Sequence, residues 1–247
     1  MNLDVLFEDN HLLAISKPAG LLVQGDATGD PTLLDLATEY RRKRENKPGN
    51  VYLGLVHRLD RPVSGVVLLA KTSKAASRLS AQFRDNQVEK IYWAVIDPPK
   101  NANETRGIWK DWLAKDNQTN RVRLMNKTTE IPAGAQEAIT EWQVLRQSRR
   151  HWLVELSPHT GRSHQLRVHC SAHLAPIHGD RKYGSTHPFG NALALHACLL
   201  TIEHPTLRTP ISFLAPVPRS WQDFPCDFAS EQMSLAVSRP VAPRPVP

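Results

Sequence analysis

Apolar residues in this chain come in short runs joined by brief polar turns, and this spacing limits the folds available to it. Residues 5–8 and 11–17 form two such runs, which are typical of a β-hairpin. Residues 138–146 and 151–156 form a second pair with a similarly brief connection. Hairpins dominate and strict alternation of strands with helices is absent. The pattern therefore predicts an α+β fold with a mostly antiparallel or mixed central β-sheet, flanked by helices and loops.

Helix signals interrupt the strands at three places. Asp30 is predicted to cap a first helix, with Pro31 at its first position, and Ser73 to cap a second. Residues 163–174 predict a third helix, which follows Gly161. Further strands are expected over residues 66–71, 90–96, 195–203 and 211–214.

Composition sets the expected domain boundaries. Residues 98–136 are polar and are interpreted as a variable insertion, in which 108–113 and 121–124 are expected to pair as a small outlying ribbon. Residues 229–247 are rich in proline and are expected to be disordered. The sequence therefore predicts one domain over residues 1–228, followed by a tail.

The chain is basic, with 31 Lys and Arg against 24 Asp and Glu and a formal net charge of +7. Such a balance favours polyanionic partners such as nucleic acid, with salt-sensitive affinity. No apolar run approaches the roughly 18 residues of a membrane span, and the acidic N-terminus is unlike a signal peptide. The three cysteines are far apart and odd in number, which fits a reducing cytoplasm better than a disulfide framework. A cytoplasmic monomer with no membrane partner is expected.

Asp60 is the first candidate functional residue, because it lies between Arg58 and Arg61 and precedes a turn and an apolar run over 66–70. Nearby positive charge favours the ionised form of a carboxyl group. Asp60 is therefore a candidate nucleophile or electrostatic anchor rather than a proton donor. An exposed salt bridge on a loop explains these residues equally well.

Two further residues have both a functional and a structural interpretation. Arg162 follows Gly161 at a strand-to-helix junction, where it is suited to hold a phosphate or the Asp60 carboxylate. The alternative is a capped helix with a surface arginine. Tyr92 lies within a predicted strand, either packed on the sheet face or serving as an aromatic platform for a base.

Metal and cofactor motifs are absent from the sequence. Four histidines are close together in the chain, but no His-Glu-x-x-His pattern and no paired cysteines accompany them. These histidines are expected to make hydrogen bonds within the fold: His164, His169, His173 and His178. No phosphate-binding glycine loop and no Gly-x-Ser-x-Gly elbow is present, so neither a metal nor a cofactor is expected.

Taken together, the motifs resemble the RluA family of pseudouridine synthases over residues 3–218. The matching segments are Lys17-Pro18-Ala19-Gly20, 57–65, 90–92, 160–169, 179–184 and 195–205. The resemblance implies a pseudouridine synthase fold with a catalytic cleft, in which Asp60 is catalytic, Tyr92 contacts the target uracil and Arg162 pairs with Asp60. Val63 and Ala175 depart from the family pattern. A stand-alone catalytic domain is expected, without the N-terminal S4 domain that some members carry.

The resemblance also implies an activity, the isomerisation of uridine within a stem-loop of ribosomal or transfer RNA, with no cofactor. The target base leaves its stack, and Arg58 is expected to occupy the gap. The expected RNA contacts are His57, Arg58, Arg61, His164 and Arg167. The alternative is an inactive RNA-binding relative that acts in RNA folding or ribosome assembly.

Overall fold

The computed structural model describes residues 3–46, 49, 51–100, 104–116, 118–125, 131, 133–224, 226–237 and 241–243. Strands and α-helices follow in the order β1 (Val5–Glu8), β2 (Leu12–Lys17), α1 (Leu33–Glu45), β3 (Gly54–Leu55), β4 (Ser64–Ala70), α2 (Ser73–Arg84), β5 (Glu89–Ile96), β6 (Arg106–Asp116), β7 (Arg121–Met125), β8 (Gln136–Gln147), β9 (Trp152–Pro158), α3 (Gln165–His173), β10 (Leu195–Glu203), β11 (Pro210–Leu214) and α4 (Phe228–Val237). Within the described ranges, no helix is long and apolar enough to cross a membrane.

The residues predicted to form one domain, 1–228, are divided between two compact units. Unit 1 comprises Met1–Glu89, Ala197–Gln222 and Asp227–Pro247, and unit 2 comprises Lys90–His196 and Asp223–Cys226.

In unit 1 the strands follow the order β1-β2-β4-β10, with β11 on β10 and β3 on β4. The predicted hairpin is confirmed, since β1 pairs antiparallel with β2. In turn, β2 pairs antiparallel with β4, so that Lys17 lies opposite Gly65. Strand β4 is buried along its whole length, as its continuous apolar sequence predicts. Apolar residues from these strands and from α2 form one core: Leu12, Val66, Leu68, Leu79, Leu200 and Phe213.

The first two helices, α1 and α2, each begin after a different cap from the one predicted. Thr32, not Asp30, caps α1, because its hydroxyl accepts from the Asp35 amide at 3.1 Å while the Asp35 carboxylate accepts from the Thr32 amide at 3.0 Å. This reciprocal capping box satisfies two amides at once. Thr72, not Ser73, caps α2, because its hydroxyl accepts from the Ala75 amide at 3.2 Å.

In unit 2 the strands follow the order β5-β9-β8-β6-β7, and each of these neighbouring pairs is antiparallel. The ribbon predicted within 98–136 exists as β6 and β7, but it is not outlying, because β6 also pairs with β8. Alternate residues of β6, Trp109, Asp111 and Leu113, are buried, whereas Lys110 between them is exposed and Trp112 is half-buried. Helix α3 packs on this part of the sheet through Val168.

The expectation of a disordered tail over 229–247 is wrong for part of that segment. Residues 228–237 form α4, in which Leu235 is buried and the Gln232 amide donates to the Ala215 carbonyl at 2.7 Å. The Ala242 amide donates to the Ser212 carbonyl at 2.8 Å. The prolines of the tail lie after α4. Because proline is unfavourable inside a helix, the proline-rich end led to a prediction of disorder for the whole segment. Residues 238–240 and 244–247 lie outside the described residues.

Candidate active site

Asp60 lies on the turn that leads into β4, and local contacts define the path of this turn. The Val63 amide donates to the Asp60 carbonyl at 3.0 Å, and the Gly20 amide donates to the Arg61 carbonyl at 2.7 Å. Gly65 has a φ of +123°, and a Cβ there would overlap the backbone of Ala197. Only glycine therefore allows the turn to enter the strand at this point. The result is a half-buried carboxylate on a tightly held loop.

Lys17 also contacts the Asp60 turn, although the sequence by itself indicated no role for it. Its side chain is 1% exposed, and its ammonium donates to the carbonyls of Pro18 at 3.0 Å, Leu21 at 2.8 Å and Arg61 at 3.2 Å. Burial lowers the pKa of Lys17 to about 7, and the negative charge of Asp60 opposes this shift. The sequence signal for it is a lysine at the end of an otherwise apolar strand.

The three basic residues around Asp60 have different environments. Arg58 is exposed. Arg61 is about half exposed, but its guanidinium pairs with Asp30 at 2.7 Å and donates to the Gly20 carbonyl at 3.0 Å. His57 accepts from the Leu68 amide at 2.9 Å and stacks on Phe83, with ring centroids 4.7 Å apart. These contacts connect His57 to the fold of unit 1, and its predicted role in RNA binding stays a prediction.

Tyr92 lies on β5 in unit 2, opposite Leu156 of β9. It is half-buried, whereas its neighbours Ile91 and Trp93 on the other face are almost fully buried. Lys90 shares the Tyr92 face of the strand. Burial lowers the pKa of Lys90 to about 8, and the positive charge of Arg162 lowers it further. Lys90 was also missed by sequence reasoning, which considered only the tyrosine of this strand.

Arg162 is positioned by a hydrogen-bonded turn that is anchored on β8. Its backbone amide donates to the Gln165 side-chain oxygen at 3.0 Å, and its Nε donates to the Glu137 carbonyl at 2.9 Å. The Gln165 amide group donates to the Ile139 carbonyl at 3.0 Å and to the Thr140 hydroxyl at 2.9 Å. Gln165 therefore connects the turn to the strand. The two cations, Arg162 and Lys90, give this part of unit 2 a positive potential suited to an anion.

Arg167, a predicted RNA contact, is buried within unit 2. It is 7% exposed, and it donates to both carboxylate oxygens of Asp180, at 2.7 Å and 2.8 Å. Its guanidinium also lies 5.0 Å from the centre of the Tyr183 ring. The same tyrosine hydroxyl is 2.7 Å from His164 Nδ1. A bidentate, buried arginine of this kind stabilises the fold, and the predicted role of Arg167 in RNA binding stays a prediction.

The prediction that the clustered histidines form hydrogen bonds within the fold is confirmed. Besides His164, His169 lies 2.9 Å from the Thr140 hydroxyl, His173 lies 2.6 Å from Asp111, and His178 lies 2.8 Å from Asp97. Burial lowers the pKa of His169 to about 4, so this imidazole is neutral at physiological pH.

Comparisons with known proteins agree with this geometry. A family profile described as RNA pseudouridylate synthase matches residues 11–172. The tRNA pseudouridine synthase C of Haemophilus ducreyi is 35% identical over 244 residues, covering 90% of this chain and 94% of that protein. The ribosomal large subunit pseudouridine synthase C of Vibrio vulnificus is 33% identical over 220 residues, covering 86% of this chain and 65% of that protein.

A solved structure supports the same assignment. Human RNA Pseudouridylate Synthase Domain Containing 4 is similar with a TM-score of 0.73 and 28% identity, covering 89% of this chain and 92% of the solved one. The chain therefore belongs to the RNA pseudouridylate synthase family, which confirms the predicted family and its α+β fold.

Proposed function

We propose that this protein converts a uridine in transfer or ribosomal RNA to pseudouridine, as an intramolecular transferase of the isomerase class, with Asp60 as its catalytic carboxylate. The observation that carries the proposal is that the buried Lys17 ammonium donates to the Arg61 carbonyl and so fixes the turn that carries Asp60. This arrangement holds the Asp60 turn in a fixed position, as attack or charge stabilisation at a sugar requires.

The proposed reaction needs no cofactor, because every atom of the product comes from the substrate uridine. The bond between N1 of uracil and C1′ breaks, and its electron pair leaves with the base. The base then rotates, C5 forms a bond to C1′, the proton on C5 is lost, and N1 gains a proton. Two routes are compatible with Asp60. In one, it attacks C1′ to form a sugar ester, which breaks when C5 bonds to C1′. In the other, it removes the proton from C2′ to form a glycal, and C2′ regains a proton when C5 bonds to C1′. Both require the ionised carboxylate.

Roles for two other residues follow from the family pattern. We assign Arg162 to orient the Asp60 carboxylate and Tyr92 to stack on the target uracil. The first assignment rests on the family pattern and on the chemistry of the guanidinium, which suits a carboxylate partner. The half-buried position of Tyr92 in an otherwise buried strand supports the second.

The RNA-binding residues are assigned by exposure. Arg58 is exposed and is retained as the residue that takes the place of the flipped base. Arg61 and His164 are retained as partly exposed contacts with the RNA. The exposed Arg121 and Arg123 of β7 are suited to contact phosphates outside the target nucleotide, and so to position the RNA. We propose a cytoplasmic monomer, which fits the odd number and wide spacing of the three cysteines in the sequence.

Substitution of Asp60 tests the proposed function. Asp60→Ala is expected to retain RNA binding and to form no pseudouridine. The measurement is pseudouridine mapping of total RNA from a deletion strain that expresses wild type, Asp60→Ala or Asp85→Ala. Asp85, an exposed aspartate after α2, serves as the matched control. Restoration of every lost pseudouridine by Asp60→Ala would show that another residue is catalytic.

An inactive RNA-binding relative is the alternative, and one assay separates the two. Isomerisation replaces the hydrogen at C5 of uridine, whereas binding alone leaves it in place. Purified wild type is therefore expected to release tritium from [5-³H]uridine-labelled transfer or ribosomal RNA from the deletion strain. Binding of both RNAs without tritium release would favour the alternative.

A further inference from the structure

Three potential metal ligands from separate segments of unit 2 meet at the end of β5. Asp97 directly follows the strand, His178 lies in the turn after Ile177, and His187 lies on the loop 184–191. Their nearest ligand atoms all lie within 4.8 Å of one another. We propose that Asp97, His178 and His187 bind one divalent transition-metal ion of the zinc class. This inference goes beyond the proposed function and does not depend on it.

The distances within the cluster are close to those of a tetrahedral zinc site. His178 Nε2 lies 2.8 Å from Asp97 Oδ1, and His187 Nε2 lies 3.1 Å from Asp97 Oδ2. Zinc bonds to nitrogen and oxygen are about 2.0–2.2 Å long, which places the ligands of a tetrahedral ion about 3.3 Å apart. An ion therefore fits after side-chain shifts of less than about 1 Å on this geometry. Two imidazoles and one carboxylate are also a ligand set that transition metals use.

The backbone around His178 provides a rigid base for the site. The His178 amide donates to the Val95 carbonyl at 3.0 Å, and its carbonyl accepts from the Ala194 amide at 2.9 Å. Its side chain is only 5% exposed, whereas those of Asp97 and His187 are 39% and 52% exposed. One ligand is therefore fixed and buried while two face solvent. Asp97 also lines a cleft of about 430 Å³, through which an ion can reach the carboxylate.

A fourth imidazole beside the cluster has an unsatisfied nitrogen. His151 packs edge-on against His178, with ring centroids 5.1 Å apart and an interplanar angle of 78°. Its Nδ1 is buried and makes no hydrogen bond with any residue that the structure describes. Buried polar atoms without a partner are rare and require an explanation. A metal ion, or a water molecule bound to it, beside His178 would provide the missing partner.

The competing explanation is a hydrogen-bonded network without metal, which requires a different protonation state of the two histidines. If both histidines donate protons to Asp97, their Nε2 atoms carry hydrogen and have no lone pair for a metal. If a metal binds, both Nε2 atoms must be unprotonated and the ion replaces the two protons. The ion would then tie loop 184–191 to the end of β5. Metal binding by the purified protein decides between the two.

Zinc titration of the full chain, without an affinity tag and after treatment with chelator, tests the proposal. Isothermal titration calorimetry is expected to show one Zn²⁺ bound per chain, and His187→Ala is expected to weaken binding by about tenfold or more. His187 is exposed, so its removal should leave the fold intact, which circular dichroism checks. His159→Ala is the matched control, because His159 is 55% exposed and also faces a carboxylate, Glu141 at 3.6 Å. This variant should bind zinc as wild type does.

Cobalt substitution separates this site from binding by cysteine. Co²⁺ held by Asp97 and histidines is expected to show visible ligand-field bands without the thiolate charge-transfer band that Cys226 would produce. Asp97→Asn should weaken Co²⁺ binding in parallel with His187→Ala. The proposal is overturned if zinc binds at less than one equivalent, if neither variant weakens binding, or if Cys226→Ser abolishes it.

Discussion

At the scale of single residues, Lys17 makes the clearest prediction about stability and pH. Burial lowers its pKa from 10.5 to about 7 in the folded chain, whereas the unfolded chain keeps the ordinary value. Between these two pH values the unfolded chain binds more protons, so the free energy of unfolding rises with pH. Below about pH 7 both states are protonated, and the full cost of the buried charge is present.

Lys17→Met removes this titration. From pH 7 to pH 9.5, wild type is expected to gain about 2–3 kcal/mol more in free energy of unfolding than Lys17→Met, because one pKa unit corresponds to about 1.4 kcal/mol. Urea unfolding at the two pH values measures the difference. Lys115→Met, at an exposed position of β6, should retain the wild-type gain. The same gain in Lys17→Met as in wild type would contradict the assigned pKa.

Arg162 makes a prediction about catalysis. Arg162→Lys keeps the charge but loses the fork-shaped donor arrangement, so single-turnover tritium release is expected to fall by roughly 10²-fold. RNA affinity, measured by filter binding, should change by less than about threefold, since one phosphate-like contact is the most it can lose. Arg150→Lys, at an exposed arginine between β8 and β9, is the control. Equal losses in affinity and rate would instead indicate an RNA contact.

At the scale of elements, α4 is the helix that the proline-rich composition of the tail failed to predict. Its Leu235 is 8% exposed and packs in unit 1, whereas Val237 in the same helix is 87% exposed. Leu235→Ala is expected to lower the free energy of unfolding by about 2–3 kcal/mol, because the truncation leaves a cavity. Val237→Ala should change it by less than about 0.5 kcal/mol. Urea unfolding of both variants checks this, and equal small effects would mean that α4 does not pack.

The helix caps and β6 show why local sequence patterns predict the presence of a helix or strand more accurately than its first residue or its neighbours in the sheet. The predicted cap Asp30 and the observed cap Thr32 are both good capping residues. The choice was decided by Asp35, which completes the capping box, and by Arg61, which pairs with Asp30. The alternating burial along β6 depends on its pairing with β8 as a second neighbour, which local sequence patterns do not show.

At the scale of the whole molecule, the net charge of +7 predicts salt-sensitive RNA binding. Arg58→Ala, which removes an exposed cation, is expected to weaken binding and to reduce the slope of log affinity against log salt by about 0.7–0.9. Arg167→Met should leave this slope unchanged but lower the free energy of unfolding by about 3–5 kcal/mol, because it leaves Asp180 buried without its partner. Filter binding at several salt concentrations and urea unfolding measure the two effects. A reduced slope of log affinity against log salt in Arg167→Met would instead support its predicted role in RNA binding.

The sequence by itself determined the family, the α+β fold class and most of the strands. It could do so because apolar spacing and turn residues act over short distances in the chain, as in the β1-β2 hairpin. It also picked out Asp60, Tyr92 and Arg162, whose motifs are local. Their catalytic roles remain predictions.

Only the tertiary structure decided which charged side chains are engaged within the fold. Arg58, Arg61 and Arg167 are the same residue type, yet one is exposed, one pairs with Asp30 and one is buried on Asp180. The meeting of Lys17 with the Asp60 turn, and of Asp97 with His178 and His187, joins residues that are far apart in the chain. Such contacts depend on strand pairing and burial, and burial in turn sets the charge of Lys17.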